Sequence, residues 1–236
     1  MSYQLKKKLT KVNFTAMNGK KNRNIVIHYT GNQTDTASAN ANYFYSTNRG
    51  ASAHYFVDDN FVYQVVKDKD AAWAVGKNYG NSSKNLFPII KNSNSISIEM
   101  CSQNGTITDK TIKNTVALTK KLMKKYKIPA SNVVRHFDVC SKICPGWDGW
   151  GTTGTDASIW KDFKKRIQIA KPITAVKPNS KKKYIQWVQY QLGLEVNGKW
   201  TNTLETAVIS YKKKHHFNNL NGRICGKKMI KQLSLP

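Results

Sequence analysis

Residues 135–146 read Arg-His-Phe-Asp-Val-Cys-Ser-Lys-Ile-Cys-Pro-Gly, and this stretch brings a histidine and a cysteine into one short polar segment. A second histidine, His28, ends an apolar run at residues 25–27 far upstream. Together, His28, His136 and Cys144 supply two imidazoles and one thiolate, a three-ligand set with which zinc keeps its fourth coordination position open for water. An open position at the metal indicates catalysis.

A carboxylate suited to moving protons lies in the alternating segment Ser-Ile-Ser-Ile-Glu-Met at residues 95–100. The period of two in a strand puts the isoleucines on one face and Glu99 on the other, so we expect Glu99 to face the cleft as a general base. Lys142 precedes the cysteine by two residues, and we expect it to stabilise an oxyanion. Asp138 is expected to hold a ligand or its loop through hydrogen bonds.

The order of these motifs resembles the type-2 N-acetylmuramoyl-L-alanine amidases, which are zinc amidases of bacterial cell walls and phage endolysins related to the peptidoglycan recognition proteins. The resemblance rests on His-Tyr-Thr at residues 28–30, on the Glu99 strand and on residues 135–146, and it spans roughly the first two thirds of the chain. It implies that His28, His136 and Cys144 bind zinc and that Glu99 and Lys142 are catalytic.

The resemblance implies a hydrolase that cuts the amide bond between N-acetylmuramic acid and L-alanine in peptidoglycan, with a phage endolysin as the expected setting. Relatives of this fold can recognise peptidoglycan without cutting it, so a non-catalytic recognition protein is the alternative. A pure receptor has no need of the two histidines, the cysteine and Glu99 together, and the chain carries all four. One departure from the family is Ala74, because a histidine often follows the tryptophan there. His54 is interpreted as a cleft or structural residue.

Alternating strand and helix patterns predict an α/β fold, a mixed central sheet flanked by helices, over residues 1–169. The Asn- and Ser-rich stretch 76–94 is predicted to be a cleft-lining loop. The predicted strands are 25–29, 53–57, 61–66, 95–100 and a short one at 133–134, and the predicted helices are 37–46, 110–126 and 159–167.

Residues 170–180 carry prolines and lysines and are predicted to be an extended linker. Residues 181–236 follow with three short amphipathic patterns, in which Asn202 and Glu205 have the spacing of a helix cap. This small three-helix domain resembles a peptidoglycan-binding domain, which implies cell-wall binding by the tail. Two regions that independently indicate the same polymer support each other.

The chain has 39 Lys and Arg against 13 Asp and Glu, a net charge of +26, and this excess predicts a polyanionic partner. A Gram-positive wall with teichoic acids is one candidate, and membrane lipid and nucleic acid are others. Nucleic acid is not expected, because no helix-turn-helix, zinc-finger spacing or stacking motif accompanies the charge.

Neither a secretory signal nor a membrane span is recognisable in the sequence. We therefore expect the protein to stay in the host cytoplasm until release and then to act at the cell wall. With Cys144 assigned to the metal, Cys101, Cys140 and Cys225 remain. A bridge between Cys101 and Cys140 is conceivable, but buried free thiols are the expectation.

Overall fold

A six-stranded sheet forms the centre of the first of two units in the computed structural model, which describes residues 3–76, 79–80, 85–154 and 156–233. The boundary between the units falls between Ile167 and Gln168. The strand order is β1-β4-β3-β5-β2-β6. The strands are β1 (Gln4–Lys7), β2 (Asn24–Tyr29), β3 (Tyr55–Val57), β4 (Phe61–Gln64), β5 (Ser95–Met100) and β6 (Val133–Arg135).

The sheet is mixed, as the sequence predicts. Strand β2 pairs in parallel with β5 and β6, and β3 pairs in parallel with β5 but antiparallel to β4. Strand β2 lies inside the sheet, and Ile25, Val26 and Ile27 are fully buried, which explains why its sequence is continuously apolar. The predicted α/β class is confirmed.

Four helices belong to the first unit, and the longest, α2, covers one face of the sheet. Its residues Ile112, Val116 and Leu122 join one buried cluster with the isoleucines of β2 and β5. Alternate residues of these strands, among them His28 and Glu99, therefore point to the opposite face. The helices are α1 (Ala37–Tyr43), α2 (Asp109–Tyr126), α3 (His136–Cys140) and α4 (Ser158–Gln168), the last of which crosses the unit boundary.

Some predicted boundaries differ from the structure. The predicted helix 37–46 ends at Tyr43, and the predicted strands 53–57 and 61–66 are shorter, at Tyr55–Val57 and Phe61–Gln64. Strand β1 and helix α3 are absent from the sequence-based prediction. Among the helices that the structure describes, none combines the length and the apolar character needed to cross a bilayer.

The second unit contains three helices, α5 (Lys182–Gln191), α6 (Asn202–Lys214) and α7 (Lys227–Leu233). Their apolar faces form a core of their own around Trp187, Leu204 and Met229. Within the segment predicted as a linker, Val176 is fully buried and exchanges two backbone hydrogen bonds of 2.9 Å with Cys225.

The predicted cap of α6 is wrong by one residue. Thr201 is the N-cap, and its hydroxyl accepts a hydrogen bond from the backbone N–H of Leu204 at 3.3 Å. Asn202 is therefore the first helical residue. Threonine and asparagine both serve well as N-caps, so the sequence pattern Thr-Asn does not decide between them.

Candidate metal centre

Three potential metal ligands from distant parts of the chain meet at one end of β2. His28 lies near the end of β2, His136 begins α3, and Cys144 follows in the next loop. One ligand atom from each of the three lies within 4.8 Å of the others, and each residue is only 2% exposed. The structure thus brings together the three residues that the sequence predicts as ligands.

Backbone pairing and one arginine hold this arrangement. The pairing of β2 with β6 sets Arg135 beside Ile27, so that the next residue, His136, arrives at the end of β2. The carboxylate of Asp138 accepts hydrogen bonds from the backbone N–H and the guanidinium of Arg135 at 2.5–3.1 Å. The guanidinium also donates to the carbonyl of Gly151 at 3.1 Å. Asp138 therefore holds the ligand-bearing loop, the role that the sequence assigns to it.

The two ligand-bearing segments are also joined directly. The backbone N–H of Phe137 donates to the carbonyl oxygen of Cys144 at 3.0 Å. Gly146 lies so close to the ring of Tyr29 that a side chain there would overlap the phenol. The turn after Cys144 therefore needs glycine at this position.

The donor set fits a divalent metal ion. Among the described buried atoms, Nε2 of His28 and both ring nitrogens of His136 have no hydrogen-bond partner. Burial lowers the pKa of both histidines, that of His136 to about 3, so both imidazoles are neutral and offer lone pairs. Burial also raises the pKa of the Cys144 thiol, so a cation beside it is required to stabilise the thiolate. A metal ion would bind one nitrogen of each imidazole and the thiolate at once.

Glu99 lies next to the three ligands. It is in register with His28 across the β2–β5 pair, and its Oε1 lies 3.8 Å from Nδ1 of His28. The other carboxylate oxygen, Oε2, is buried without a hydrogen-bond partner. Burial raises the pKa of Glu99 to about 8, against the opposing charge of Lys142. Glu99 can therefore hold or release a proton near neutral pH.

Lys142 is exposed at the mouth of the same site. It lines a cavity of about 180 Å³ together with His28, Glu99 and His136. Its ammonium group lies 5.5 Å from the ring centroid of Tyr79. After burial, its positive charge is the next cause of the low pKa of His136. Four of the five residues predicted from the sequence thus line one cleft, and the fifth, Cys144, is buried beside His28 and His136.

Two further side chains belong to this cleft and were not singled out from the sequence. The ring of Tyr79 approaches His136 edge-on, with centroids 6.2 Å apart. The hydroxyl of Thr30 is buried without a hydrogen-bond partner, and Thr30 lines the cavity. Thr30 belongs to the His-Tyr-Thr motif, so the sequence motif could have indicated its place in the site. Tyr79 lies in an irregular segment without periodicity, so no spacing points to its contact with His136.

The predicted cleft loop, residues 76–94, lies partly outside the described residues, at 77–78 and 81–84. Within the described part, Tyr79 contacts the site as stated above, and the Ile90 side chain packs with Val26 and Val139. Ala74, where the family often has histidine, lines the cavity. It offers a methyl group there in place of an imidazole.

His54 is a structural residue. Its Nδ1 accepts a hydrogen bond from the backbone N–H of Ser97 at 3.1 Å, and its Nε2 lies 3.1 Å from the carbonyl of Asp70 and 2.9 Å from Nζ of Lys20. Burial and the charge of Lys20 lower the pKa of His54 to about 3. This histidine therefore stays neutral and links β5 to neighbouring loops.

All four cysteines are free and buried, which confirms the expectation of buried thiols. Cys101 and Cys140 do not form a bridge. Cys101 packs with residues of the α1 face, and Cys140 packs beside Val139 and Val26.

Comparison with known proteins agrees with this geometry. The N-acetylmuramoyl-L-alanine amidase family matches residues 18–147, a segment that contains all three candidate ligands and makes up more than half of the chain. The chain belongs to this family. Membership accounts for the order in which the three ligands and Glu99 occur along the chain.

Named relatives match about three fifths of the chain. CwlL of Bacillus licheniformis, an N-acetylmuramoyl-L-alanine amidase, is 33% identical over 152 residues, which are 61% of this chain and 40% of CwlL. XlyA of Bacillus subtilis (strain 168) carries the same description and is 30% identical over 158 residues, 62% of this chain and 50% of XlyA. The chain thus spans about half or less of the length of these curated relatives.

Solved structures match over a similar share. The catalytic domain of XlyA superposes with a TM-score of 0.56 at 28% identity and covers 70% of this chain and 99% of that domain. The structure of PlyL gives a TM-score of 0.56 at 26% identity and covers 70% of this chain and 96% of PlyL. These neighbours are similar to this chain in sequence as well as in fold.

Proposed function

We propose that the protein is a zinc-dependent N-acetylmuramoyl-L-alanine amidase that hydrolyses the amide bond between N-acetylmuramic acid and the first L-alanine of the stem peptide. The proposal rests on family membership and above all on one observation. Buried imidazole nitrogens of His28 and His136 without hydrogen-bond partners lie beside the Cys144 thiol and the Glu99 carboxylate, whose pKa is raised, in a cleft open to substrate. Burying polar atoms without hydrogen-bond partners costs free energy, and titratable groups with perturbed pKa values cluster at functional sites.

His28, His136 and Cys144 would hold the zinc ion. Two imidazoles and a thiolate favour zinc over the hard cations, which prefer oxygen ligands. When bound, zinc supplies a Lewis acid for the scissile carbonyl and lowers the pKa of water to about 7.

Glu99 would transfer the proton from the attacking water to the leaving amine. As a carboxylate it accepts a proton from the attacking water while the oxygen adds to the carbonyl carbon. As the carboxylic acid it then donates this proton to the alanine nitrogen, and the C–N bond breaks to give a carboxylate on the muramic acid and a free amine. The position of its carboxylate, 3.8 Å from the ring of His28, suits both halves of this transfer.

Lys142 would stabilise the charge that develops on the carbonyl oxygen. Its ammonium group is exposed, so it can reach a bound substrate, and it already lowers the pKa of Glu99 and His136 across the cavity. A positive charge in this position favours an oxyanion. Removing it should therefore lower turnover more than binding.

Residues 181–236 would act as a cell-wall-binding domain. Joining a binding module to a catalytic unit raises the local substrate concentration without changing the chemistry. The proposed target is Gram-positive peptidoglycan, reached from the host cytoplasm as a phage endolysin reaches it. The net charge of +26 supports attraction to such an anionic wall.

The test is product analysis on purified Gram-positive walls, with and without a chelator. We expect new N-terminal alanine, suppressed by chelation and restored by zinc. His136→Ala should abolish release while the full chain still binds the wall. New reducing sugar ends would indicate a glycosidase instead, and tight binding without any cleavage by the wild type would indicate a recognition protein.

A further inference from the structure

A second groove lies on the opposite face of the central sheet from the metal centre. It has a volume of about 500 Å³ and runs beside the ends of β1 and β4, the loop at residues 67–69 and the C-terminal half of α2. Tyr55 lines this groove, whereas its neighbour Phe56 lines the cavity at the metal centre. Because successive strand residues face opposite sides, the groove cannot be an extension of the catalytic cleft.

The groove combines an apolar floor with a basic rim. Four leucines provide the floor, and they include Leu118 and Leu122 of α2. The rim carries five exposed lysines, Lys7, Lys67, Lys69, Lys121 and Lys125. A matching ligand therefore has carbon segments and several negative charges.

The single carboxylate in the groove is already neutralised. Asp68 accepts hydrogen bonds from the hydroxyls of Tyr55 and Tyr126, both at 2.6 Å, and from Nζ of Lys125 at 2.8 Å. Burial acts to raise its pKa, but these hydrogen bonds hold the pKa below its usual value. Lys125 therefore already forms an ion pair with Asp68.

The other lysines of the rim are available to a ligand. In the part of the chain that the structure describes, the ion pairs involve none of Lys7, Lys67, Lys69 and Lys121. Four positive charges around one concavity repel each other, and an anion relieves this repulsion.

We propose that this groove binds a segment of a wall-linked phosphodiester polymer of the teichoic-acid class. The proposal rests on the proposed function, because that function places the protein at a Gram-positive wall. The lysine ammonium groups would pair with successive phosphates as point charges. The leucine floor would contact the polyol carbons between the phosphates.

The shape of the site favours a single polymer chain over other polyanions. A bilayer presents a broad surface and cannot enter a concave groove of this size. Single-stranded nucleic acid binds through exposed aromatic platforms, but here Tyr55 is only 5% exposed and both tyrosine hydroxyls are tied to Asp68.

Binding at this face leaves the catalytic cleft open on the other side of the sheet. A polymer held there would keep the catalytic unit at the wall while the cleft engages stem peptides. It would act in addition to the second unit as another contact with the same wall, so that the two contacts reinforce each other.

The test compares two triple variants of the full chain, each in a His136→Ala background so that walls are not cut during the assay. The groove variant is Lys67→Gln, Lys69→Gln and Lys121→Gln. The control variant is Lys21→Gln, Lys161→Gln and Lys165→Gln, three exposed lysines of the same unit outside the groove. Both variants lose the same charge, and circular dichroism checks that both fold.

The measurement is the affinity for purified poly(glycerol phosphate), titrated at several salt concentrations. We expect the groove variant to bind about tenfold more weakly, and its slope of log K against log salt to fall by about two, as for three lost phosphate contacts. The control variant should change less than threefold. Walls stripped of phosphodiesters by hydrofluoric acid should bind both variants equally.

Several outcomes would overturn the proposal. Equal weakening of both variants would mean that only net charge matters. Duplex DNA or phosphatidylglycerol vesicles that bind as tightly, with the same loss in the groove variant, would mean a different anionic partner. Because this assay requires no turnover, a failure of the groove is distinguishable from a failure of the amidase function.

Discussion

At the scale of single residues, the register between two strands sets the chemistry of the cleft. His28 and Glu99 are direct partners on β2 and β5, and both point away from the α2 face. A shift of one residue in either strand would turn its side chain, His28 or Glu99, into the apolar core. The isoleucines that alternate along the two strands, Ile25 and Ile27 in β2 and Ile96 and Ile98 in β5, fix the register, because they must face α2.

Replacing Glu99 by glutamine should abolish proton transfer while keeping the shape of the side chain. We expect turnover on peptidoglycan to fall by about 10² to 10⁴, the usual contribution of a general base. Zinc content should stay at one ion per chain, since the three ligands are unchanged. The matched control is Glu195→Gln, an exposed glutamate of the second unit. Turnover of Glu99→Gln within tenfold of the wild type would rule out this role.

Asp68→Asn should destabilise the first unit. The buried carboxylate accepts hydrogen bonds from two tyrosines and a lysine, and an amide cannot replace its charge. We expect a loss of about 3 kcal/mol at pH 7 in urea unfolding. The exposed Asp148 provides a control as Asp148→Asn, which should change stability by less than about 0.5 kcal/mol.

The effect of Asp68→Asn should depend on pH. The folded-state pKa of Asp68 is below its usual value, so its ionised form stabilises the fold fully above the pKa of an unfolded aspartate, about 3.9. This contribution is lost as the pH falls through the lower folded-state pKa. The difference between wild type and variant should therefore shrink below about pH 4. A difference that grows on acidification would contradict this sign.

Residue types and spacing were sufficient to predict that His28, His136 and Cys144 come together, because a metal centre demands particular side chains. Glu99 and Lys142 line one cleft with His28 and His136, as the motifs indicate. The contact of Tyr79 with His136 could not be predicted in this way. It depends on the path of an irregular loop, and a tyrosine in such a loop has no spacing that points to the site.

At the scale of elements, helix α2 ends in a strained cap. Lys127 has φ 55° and ψ 37°, the left-handed conformation that glycine adopts without cost, and its N–H bonds the carbonyl of Met123. Lys127→Gly should stabilise the protein by about 0.5 to 1 kcal/mol. Ala117→Gly, on the exposed side of the same helix, should instead destabilise it by about 1 kcal/mol. Chemical unfolding would measure the free energy of unfolding of both variants. A change in the same direction for both would contradict this prediction.

The elements predicted from periodicity are those that bury a face. Strands β2 and β5 and helix α2 have strong apolar patterns, and the structure has them within one residue of the predicted bounds. Strand β1 is exposed at all four residues and lies at the edge of the sheet. Because β1 has no buried face, its sequence lacks the alternating apolar pattern that predicts a strand. Its backbone pairing with β4 makes it a strand.

The sequence does not predict helix α3, for a different reason. It has five residues, and its start is fixed by hydrogen bonds between Asp138 and Arg135 rather than by an apolar stripe. Short helices have little intrinsic stability and depend on such contacts. The ligand motif therefore predicts what the segment binds but not its local conformation.

At the scale of the whole molecule, two hydrophobic cores divide the chain. One cluster surrounds β2, β5 and α2, and the other joins α5, α6 and α7. The first reaches no further than Ile167, and the second begins at Ile169. Each unit thus buries apolar surface of its own, the main source of its stability. The two units can therefore differ in stability.

Separate cores predict two thermal transitions in calorimetry. Ile98 and Leu204 are both fully buried, one in each core, and truncating such a side chain to alanine costs about 2 to 5 kcal/mol. Ile98→Ala should lower the midpoint of one transition, and Leu204→Ala should lower that of the other by about 10 °C or more, since a small unit responds strongly. A chelator should shift the transition that responds to Ile98→Ala, because a ligand stabilises only the unit that binds it. A single transition that moves with both substitutions would show that the two cores unfold together.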